Sequence, residues 1–420
     1  MTKSIKQRYD LYINTPTTGL VKAAQAVLLE NSGHLVQMAF LYTEEFREHK
    51  HAFALDPVQL PLTEKEINLK CAGGMPGILD DYLPDDWGRK VLAQLAYYRE
   101  QHVINQNSAI DTLTQLSNSR IGALQWVTAD DEVPGYELGC SADHLLAAEQ
   151  AAQSVDTPES YSENVDEMSL LYLANAGSGI GGARPKALLH EGNKAYLAKF
   201  NRISADSYNN AKVELACLQM AKEAGLNVFG GYVRRGVNDR DVLLLDRFDV
   251  VKENDFPISR RHLITINALL KDSETQRDKG GVFLYDDISN VVKKFSIDIE
   301  ADLTQLLRIM LYNRAINNLD DHERNFSLIS EGDGYRLSPG YDMVPSLVVG
   351  AYPVAGYKYS QWAPKPSEVS THGKIFGLPK TIVNRVADQV ISAVEQWPDW
   401  ALKNDVSQKD CDNVKQMIRL

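Results

Sequence analysis

The stretch Asn318-Leu319-Asp320-Asp321-His322-Glu323-Arg324-Asn325-Phe326-Ser327 constrains this chain more than any other. It sets a carboxylate, Asp320, five positions ahead of an amide, Asn325, and a further carboxylate, Asp342, follows downstream. In the D-x-x-x-x-N pattern of protein kinases the Asp accepts the proton of an acceptor hydroxyl and the Asn holds magnesium. A later Asp holds the metal that bridges the ATP phosphates. Magnesium takes hard oxygen ligands and keeps several waters, so one amide oxygen and one carboxylate suffice once phosphates complete the shell. Taken alone the spacing is ordinary turn chemistry, since Asp and Asn are common turn residues. The rest of the chain has to carry the reading.

Upstream, Gly177-Ser178-Gly179-Ile180-Gly181-Gly182-Ala183-Arg184-Pro185-Lys186 forms a glycine-rich loop. Such a loop allows backbone amides to approach phosphate oxygens closely. Two extended runs follow, 185–190 and 194–200, around the turn Glu191-Gly192-Asn193, and together they predict a β-hairpin. A helix is predicted from about Asn209 to Ala224, with Gly225 at its C′ position. Lys199 in the second strand and Glu214 in the helix match the kinase pair that fixes the nucleotide phosphates. Each residue alone is more simply a solvated surface charge. The order of loop, Lys, helix Glu, extended segment, D-x-x-x-x-N and Asp is what selects the kinase assignment. The extended run Asp241–Phe248 puts Asp246-Arg247-Phe248 where a kinase hinge meets adenine, or else it is a plain strand ending in a charged turn. His322 is read as a hydrogen-bonding residue of the catalytic loop rather than as a base, because Asp320 holds the spacing to Asn325. Asp321 is one position too close.

Two other phosphate-binding folds fit less well. Gly177, Gly179 and Gly182 satisfy G-x-G-x-x-G, but a Pro and a strand follow where a dinucleotide fold needs a helix, and Lys199 stands near the position expected to be acidic. Lys186 is not followed by Ser or Thr, so the P-loop pattern fails as well.

The chain has 420 residues, with 44 Lys and Arg against 56 Asp and Glu and a formal charge of -12, so it shows no strong electrostatic footprint for direct nucleic-acid binding and leaves room only for a local basic patch. The four cysteines, Cys71, Cys140, Cys217 and Cys411, form no C-x-x-C pair and read as buried thiols. His49 and His51 lack a nearby third ligand and read as a solvated loop. The first residues hold no apolar leader, and no run of about 18 apolar residues occurs, which predicts a cytoplasmic protein with no membrane contact. No internal repeat is visible. Residues 8–127 mix short extended runs, such as His34–Tyr42, with a helix after Pro84-Asp85-Asp86-Trp87-Gly88-Arg89. A helix from Ser141 to about Ser154 then leads into a connector at 156–160.

These residues resemble the HipA family, the kinase toxins of bacterial type II toxin-antitoxin systems. Gly181-Gly182-Ala183-Arg184-Pro185-Lys186 is similar to the family's glycine loop, and Asn318-x-Asp320-x-His322-x-x-Asn325-Phe326-Ser327 to its catalytic loop. Leu337-Ser338-Pro339-Gly340-Tyr341-Asp342 is similar to its metal segment. Leu83–Arg89 and Ser119-Arg120-Ile121-Gly122-Ala123-Leu124 resemble its N-terminal subdomain. The resemblance implies an α+β, kinase-like two-lobed fold, with an N-terminal α/β subdomain and a largely helical C-terminal lobe. Its parts would be a subdomain over 1–140, a kinase N-lobe-like part over 141–255 and a helical lobe over 256–420. It implies ATP and Mg2+ as cofactors, phosphorylation of a Ser or Thr on a protein such as an aminoacyl-tRNA synthetase, and a helix-turn-helix antitoxin (HipB-like) through which DNA is contacted indirectly. The site it implies has Asp320 as catalytic residue and Asn325 and Asp342 on the metal. The nucleotide would be held by Gly181, Gly182, Ala183, Arg184, Lys199, Glu214, Asp246, Phe248 and His322. Many members carry an autophosphorylated serine in the glycine loop; the corresponding position holds Gly179, with Ser178 beside it. Two other readings stand beside this one, a nucleotide-sensing corepressor with vestigial activity and a phosphotransferase acting on a small molecule.

Overall fold

In the computed structural model the residues described are 4–72, 74–100, 103–133, 135–156, 167, 169–170, 173, 184–201, 206–251, 258–271 and 282–420. The first sheet is antiparallel, in the order β4-β3-β2-β1-β5. Its strands are β1 (Ser4–Thr15), β2 (Gly19–Asn31), β3 (His34–Tyr42), β4 (Ile67–Lys70) and β5 (Leu124–Thr128). Ser32 and Gly33 both take positive φ, 52° and 77°, between β2 and β3. That is the tight primed turn whose twist suits a two-residue hairpin.

The second sheet runs β6-β7-β8-β10-β9, from β6 (Cys140–Ser141), β7 (Lys186–Glu191), β8 (Lys194–Phe200), β9 (Gly231–Arg235) and β10 (Asp241–Asp246). β6 lies parallel to β7, and the other pairs are antiparallel. The predicted hairpin is therefore present, with Gly192 at φ 55° in its turn. The helix α1 (Asn210–Glu223) begins where Asn209 accepts from the Lys212 amide at 3.3 Å and ends before Gly225, at φ 81°. Both ends use residues suited to the position they occupy.

A third sheet, β11 (His262–Thr265), β12 (Ser327–Ser330) and β13 (Arg336–Leu337), lies in the helical lobe. That lobe is built on helices 285–295, 299–315 and 380–395. Leu306, Leu307, Met310 and Leu311 on the second of these are fully buried. Each contributes about 1.5–3 kcal/mol by leaving water. Among the described residues no helix is long and apolar enough to cross a membrane. The four cysteines are buried and free. His51, read as solvated, instead pairs with Asp333 at 2.7 Å and ties the first sheet's domain to the helical lobe.

The N-terminal domain is keyed into residues 262–268 of the helical lobe. Asp81 accepts from the Thr265 amide and hydroxyl at 2.7 and 2.6 Å. Gly77 packs where a Cβ would come within 2.4 Å of the Ala268 carbonyl oxygen. His262 bonds the Leu55 carbonyl at 2.8 Å. Burial pushes His262 down to about 4, against an ordinary 6.5. The folded chain therefore binds this proton more weakly than the unfolded one. Stability is retained above pH 6.5 and lost as pH falls from there toward 4, by about 3 kcal/mol. A His262→Gln variant is expected to show a smaller drop in melting temperature than the parent between pH 7.5 and 4.5, measured by thermal denaturation.

Candidate active site

Alternation along β8 buries Tyr196, Ala198 and Phe200 on one face and turns Leu197 and Lys199 into a cleft between the lobes. Opposite them, α1 presents Asn210, Glu214 and Leu218 at helical spacing of four. The Lys199 ammonium donates to Glu214 Oε1 at 2.6 Å and also contacts Asp342 Oδ1. From the floor come Asp320, Asn325 and Asp342. Lysine, helix glutamate, amide and both carboxylates, read from separate segments, thus line one cavity.

Asp342 sits in the left-handed region at φ 54°. That conformation costs a side-chain-bearing residue about 1–2 kcal/mol, and Asp and Asn tolerate it best. It is held there by its neighbour: the Tyr341 hydroxyl bonds Ser327 Oγ at 2.6 Å and the Arg324 carbonyl at 3.1 Å. Burial pushes the Asp342 carboxyl up, but the Lys199 ammonium, helped by Lys186, brings it below its ordinary value. Glu214, also buried, is raised by its desolvation and by Asp342, with Lys199 opposing. Burial lowers Lys199 and its two carboxylates more than reverse that, so it stays charged.

Asn325 donates its Nδ2 to the Asp320 carbonyl at 2.7 Å. Its Oδ1 is buried and has no hydrogen-bond partner. A buried oxygen left open in this way is the donor a hard cation needs. Among the described residues no group of three or more His, Cys, Asp or Glu could hold a metal by itself. The open Asn325 oxygen and the Asp342 carboxylate are hard donors that would suit magnesium.

Asp320 and Asp321 separate cleanly. Asp321 is buried, accepting from the Tyr285 hydroxyl at 2.7 Å and the Ala355 amide at 3.0 Å, so it holds the loop. Asp320 projects into the cleft with 74% of its side chain exposed. Partial removal from bulk water raises it, His322 opposes and Asp342 adds to the rise. His322 Nε2 lies 3.9 Å from Asp320 Oδ1, beyond hydrogen-bond reach.

The cleft is apolar where a base would lie. Phe248 stacks on Tyr341 with centroids 5.8 Å apart, Phe229 meets Phe248 at 5.7 Å, and Leu245, Val344 and Ile121 complete the wall. Asp246 lines the cleft, but its amide donates to the Gly230 carbonyl at 2.9 Å, and the Phe248 carbonyl accepts from Arg261 at 2.7 Å. Those hinge groups are taken up by the fold. Arg184 lines the cleft and pairs with Asp206 at 3.0 Å. Gly181, Gly182, Ala183, Ser178 and Gly179 lie outside the described residues.

Three features escaped the sequence reading. Lys186 faces Lys199 across the β7–β8 register and pairs at 3.3 Å with Asp85 of the N-terminal domain, adding a second cation to the cleft. Its only sequence signal was its place at the end of the glycine loop. The buried Arg247 binds Asp249 at 2.9 Å and the Arg120 carbonyl at 2.8 Å, where Arg260 also donates at 2.8 Å, locking the hinge to the Ser119–Leu124 motif. Third, Asp80 takes Arg324 and Lys271, each at 2.8 Å, and Asn267 at 3.1 Å. Arg324 lies inside the 318–327 loop and its carbonyl anchors Tyr341, so an N-terminal-domain carboxylate sets that loop. Asp80→Asn is expected to loosen the 318–327 loop, read as faster amide hydrogen exchange there than in the parent chain.

The family described as HipA-like C-terminal domain matches residues 178–397, and the HipA N-terminal domain matches 21–127. Among curated proteins, "Putative kinase Y4mE" of Sinorhizobium fredii is 27% identical over 141 residues, 33% of this chain and 33% of that protein. Toxin YjjJ of Escherichia coli K12 is 24% identical over 288 residues, 65% of this chain and 60% of that protein. The matches thus span less than two thirds of either relative. The HipA chain solved from Shewanella oneidensis MR-1 with HipB and its operator DNA superposes with a TM-score of 0.65 at 15% identity, covering 91% of this chain and 92% of that one. The two share the same mixed α+β architecture of sheets and helices.

Proposed function

The chain belongs to the HipA family, and from that premise we propose that it is an ATP- and magnesium-dependent kinase acting on a Ser or Thr hydroxyl of a protein. The observation that carries this is the convergence of Lys199, Glu214, Asp320, Asn325 and Asp342 in one cleft, with the Asn325 oxygen open. In this reading Lys199, oriented by Glu214, holds the α- and β-phosphates, and Lys186 and Arg184 face the remaining phosphate charge. Phe248, Tyr341 and Phe229 flank the base. Asp320 orients the acceptor hydroxyl and takes its proton as the O–P bond forms, while the β-phosphate leaves with the electrons of the broken bond. Asn325 and Asp342 would hold magnesium, which when bound neutralises charge on the β- and γ-oxygens. The chain's part is mainly positioning and electrostatics.

Partner and target belong to the same proposal. The Shewanella structure contains HipB and operator DNA, and an acidic chain suits a role in which a small helix-turn-helix protein makes most of the DNA contact. A translation-related protein is the proposed acceptor. Residues 1–140 would act as a brace for the catalytic loop, 141–255 as the phosphate lobe and 256–420 as the catalytic lobe.

Equilibrium binding of ATP with and without magnesium tests the site. Magnesium is expected to tighten ATP binding to the parent chain and to have little effect on Asn325→Ala. Equal magnesium dependence in both would remove Asn325 from the metal.

A further inference from the structure

Residues 346–354 form a loop clipped at both ends to the backbone that carries Asp320. The Ser346 amide donates to the Asn317 carbonyl at 3.0 Å and Asn317 Nδ2 returns to the Ser346 carbonyl at 2.9 Å. At the other end the Val354 amide donates to the Leu319 carbonyl at 3.2 Å. The loop therefore hangs beside the one carboxylate placed to meet an acceptor. Between the clips it exposes Val348, Val349, Tyr352 and Val354, at 60, 85, 60 and 43%. Residues 343–357 hold no charged side chain.

Isolated exposed apolar residues need no explanation, but a cluster bordering a reactive group marks a contact surface. An uncharged, mainly apolar ledge favours an apolar protein side chain over the phosphates of a nucleic acid. From this geometry we infer that the 346–354 loop is the acceptor-docking ledge. Its occupant is an extended segment of a target protein carrying an aliphatic or aromatic side chain beside the phosphorylated hydroxyl. An extended chain advances about 3.3 Å per residue, so a side chain on the ledge comes from a position close in sequence to the acceptor, taken here as about three residues to either side. The inference rests on the phosphotransfer reading and narrows its substrate.

The test is phosphosite mapping in a phosphatase-treated bacterial extract incubated with ATP, magnesium and full-length protein, in parallel with Asp320→Ala, Val349→Glu and, as a surface control, Leu402→Ser. Sites gained with the parent over Asp320→Ala are expected to carry an aliphatic or aromatic residue within three positions of the modified Ser or Thr. Val349→Glu is expected to label them at least tenfold more slowly, with ATP affinity unchanged, and Leu402→Ser at the parental rate. Sites without apolar flanks, or parental labelling by Val349→Glu, overturn the ledge and leave the kinase reading standing. A Val349→Glu chain that labels normally but loses a protein partner overturns the ledge in the same way. No Asp320-dependent site at all overturns both.

Discussion

Asp342→Asn is expected to lower phosphotransfer about a thousandfold, because it removes the charged metal ligand while keeping nearly the same shape. The variant should nevertheless fold as the parent does. Asn is the residue closest to Asp in its tolerance of the left-handed region that Asp342 occupies at φ 54°. Lys199 would keep Glu214 at 2.6 Å. Asp342→Ala should lose the same activity and in addition melt lower, since alanine meets the full left-handed penalty. Kinetics and thermal melts on the two variants separate chemistry from strain. An active Asp342→Asn would remove this residue from the metal.

Lys199→Met is the second large effect, and it falls on folding as well as on activity. The ammonium is buried between Glu214 and Asp342. Removing it leaves two carboxylates facing each other without a counter-ion. Breaking a buried pair from one side typically destabilises by about 3–5 kcal/mol. Without the cation at least one carboxyl should hold its proton more tightly in the folded than in the unfolded chain. The loss should then be smaller at pH 5 than at pH 8. Urea denaturation at the two values reads the difference. ATP affinity should fall with it, and a Lys199→Met chain as stable at pH 8 as the parent would contradict the buried triad.

Elements whose cause is local could be read from the sequence. The helix α1 carries its own start and stop, Asn209 and Gly225, and the hairpin carries its turn at Gly192. The segment 318–327 stands out in the sequence because its D-x-x-x-x-N spacing is the pattern that the proposed chemistry requires. What stayed hidden depends on residues far apart in the chain. Asp80 and Arg324 lie 244 positions apart, and nothing near either one signals the other. Lys186 gives no local sign that Asp85 will face it. Strand β2 was hidden for another reason. Its run Lys22-Ala23-Ala24-Gln25-Ala26-Val27-Leu28-Leu29-Glu30 is rich in helix formers, and only pairing on both sides with β1 and β3 makes it a strand. The left-handed Asp342 likewise follows from Tyr341 and its partners rather than from the residue's own preference.

The most direct test of the central claim is transfer of label from γ-labelled ATP, with magnesium, to proteins of a cell extract by the parent chain and by Asp320→Ala. Asp320 is exposed, so its loss should leave folding and ATP binding intact. The expected result is a discrete labelled protein with the parent and at least a hundredfold less label with the variant. Equal labelling by both, or ATP binding with no labelling by either, would contradict phosphotransfer through Asp320.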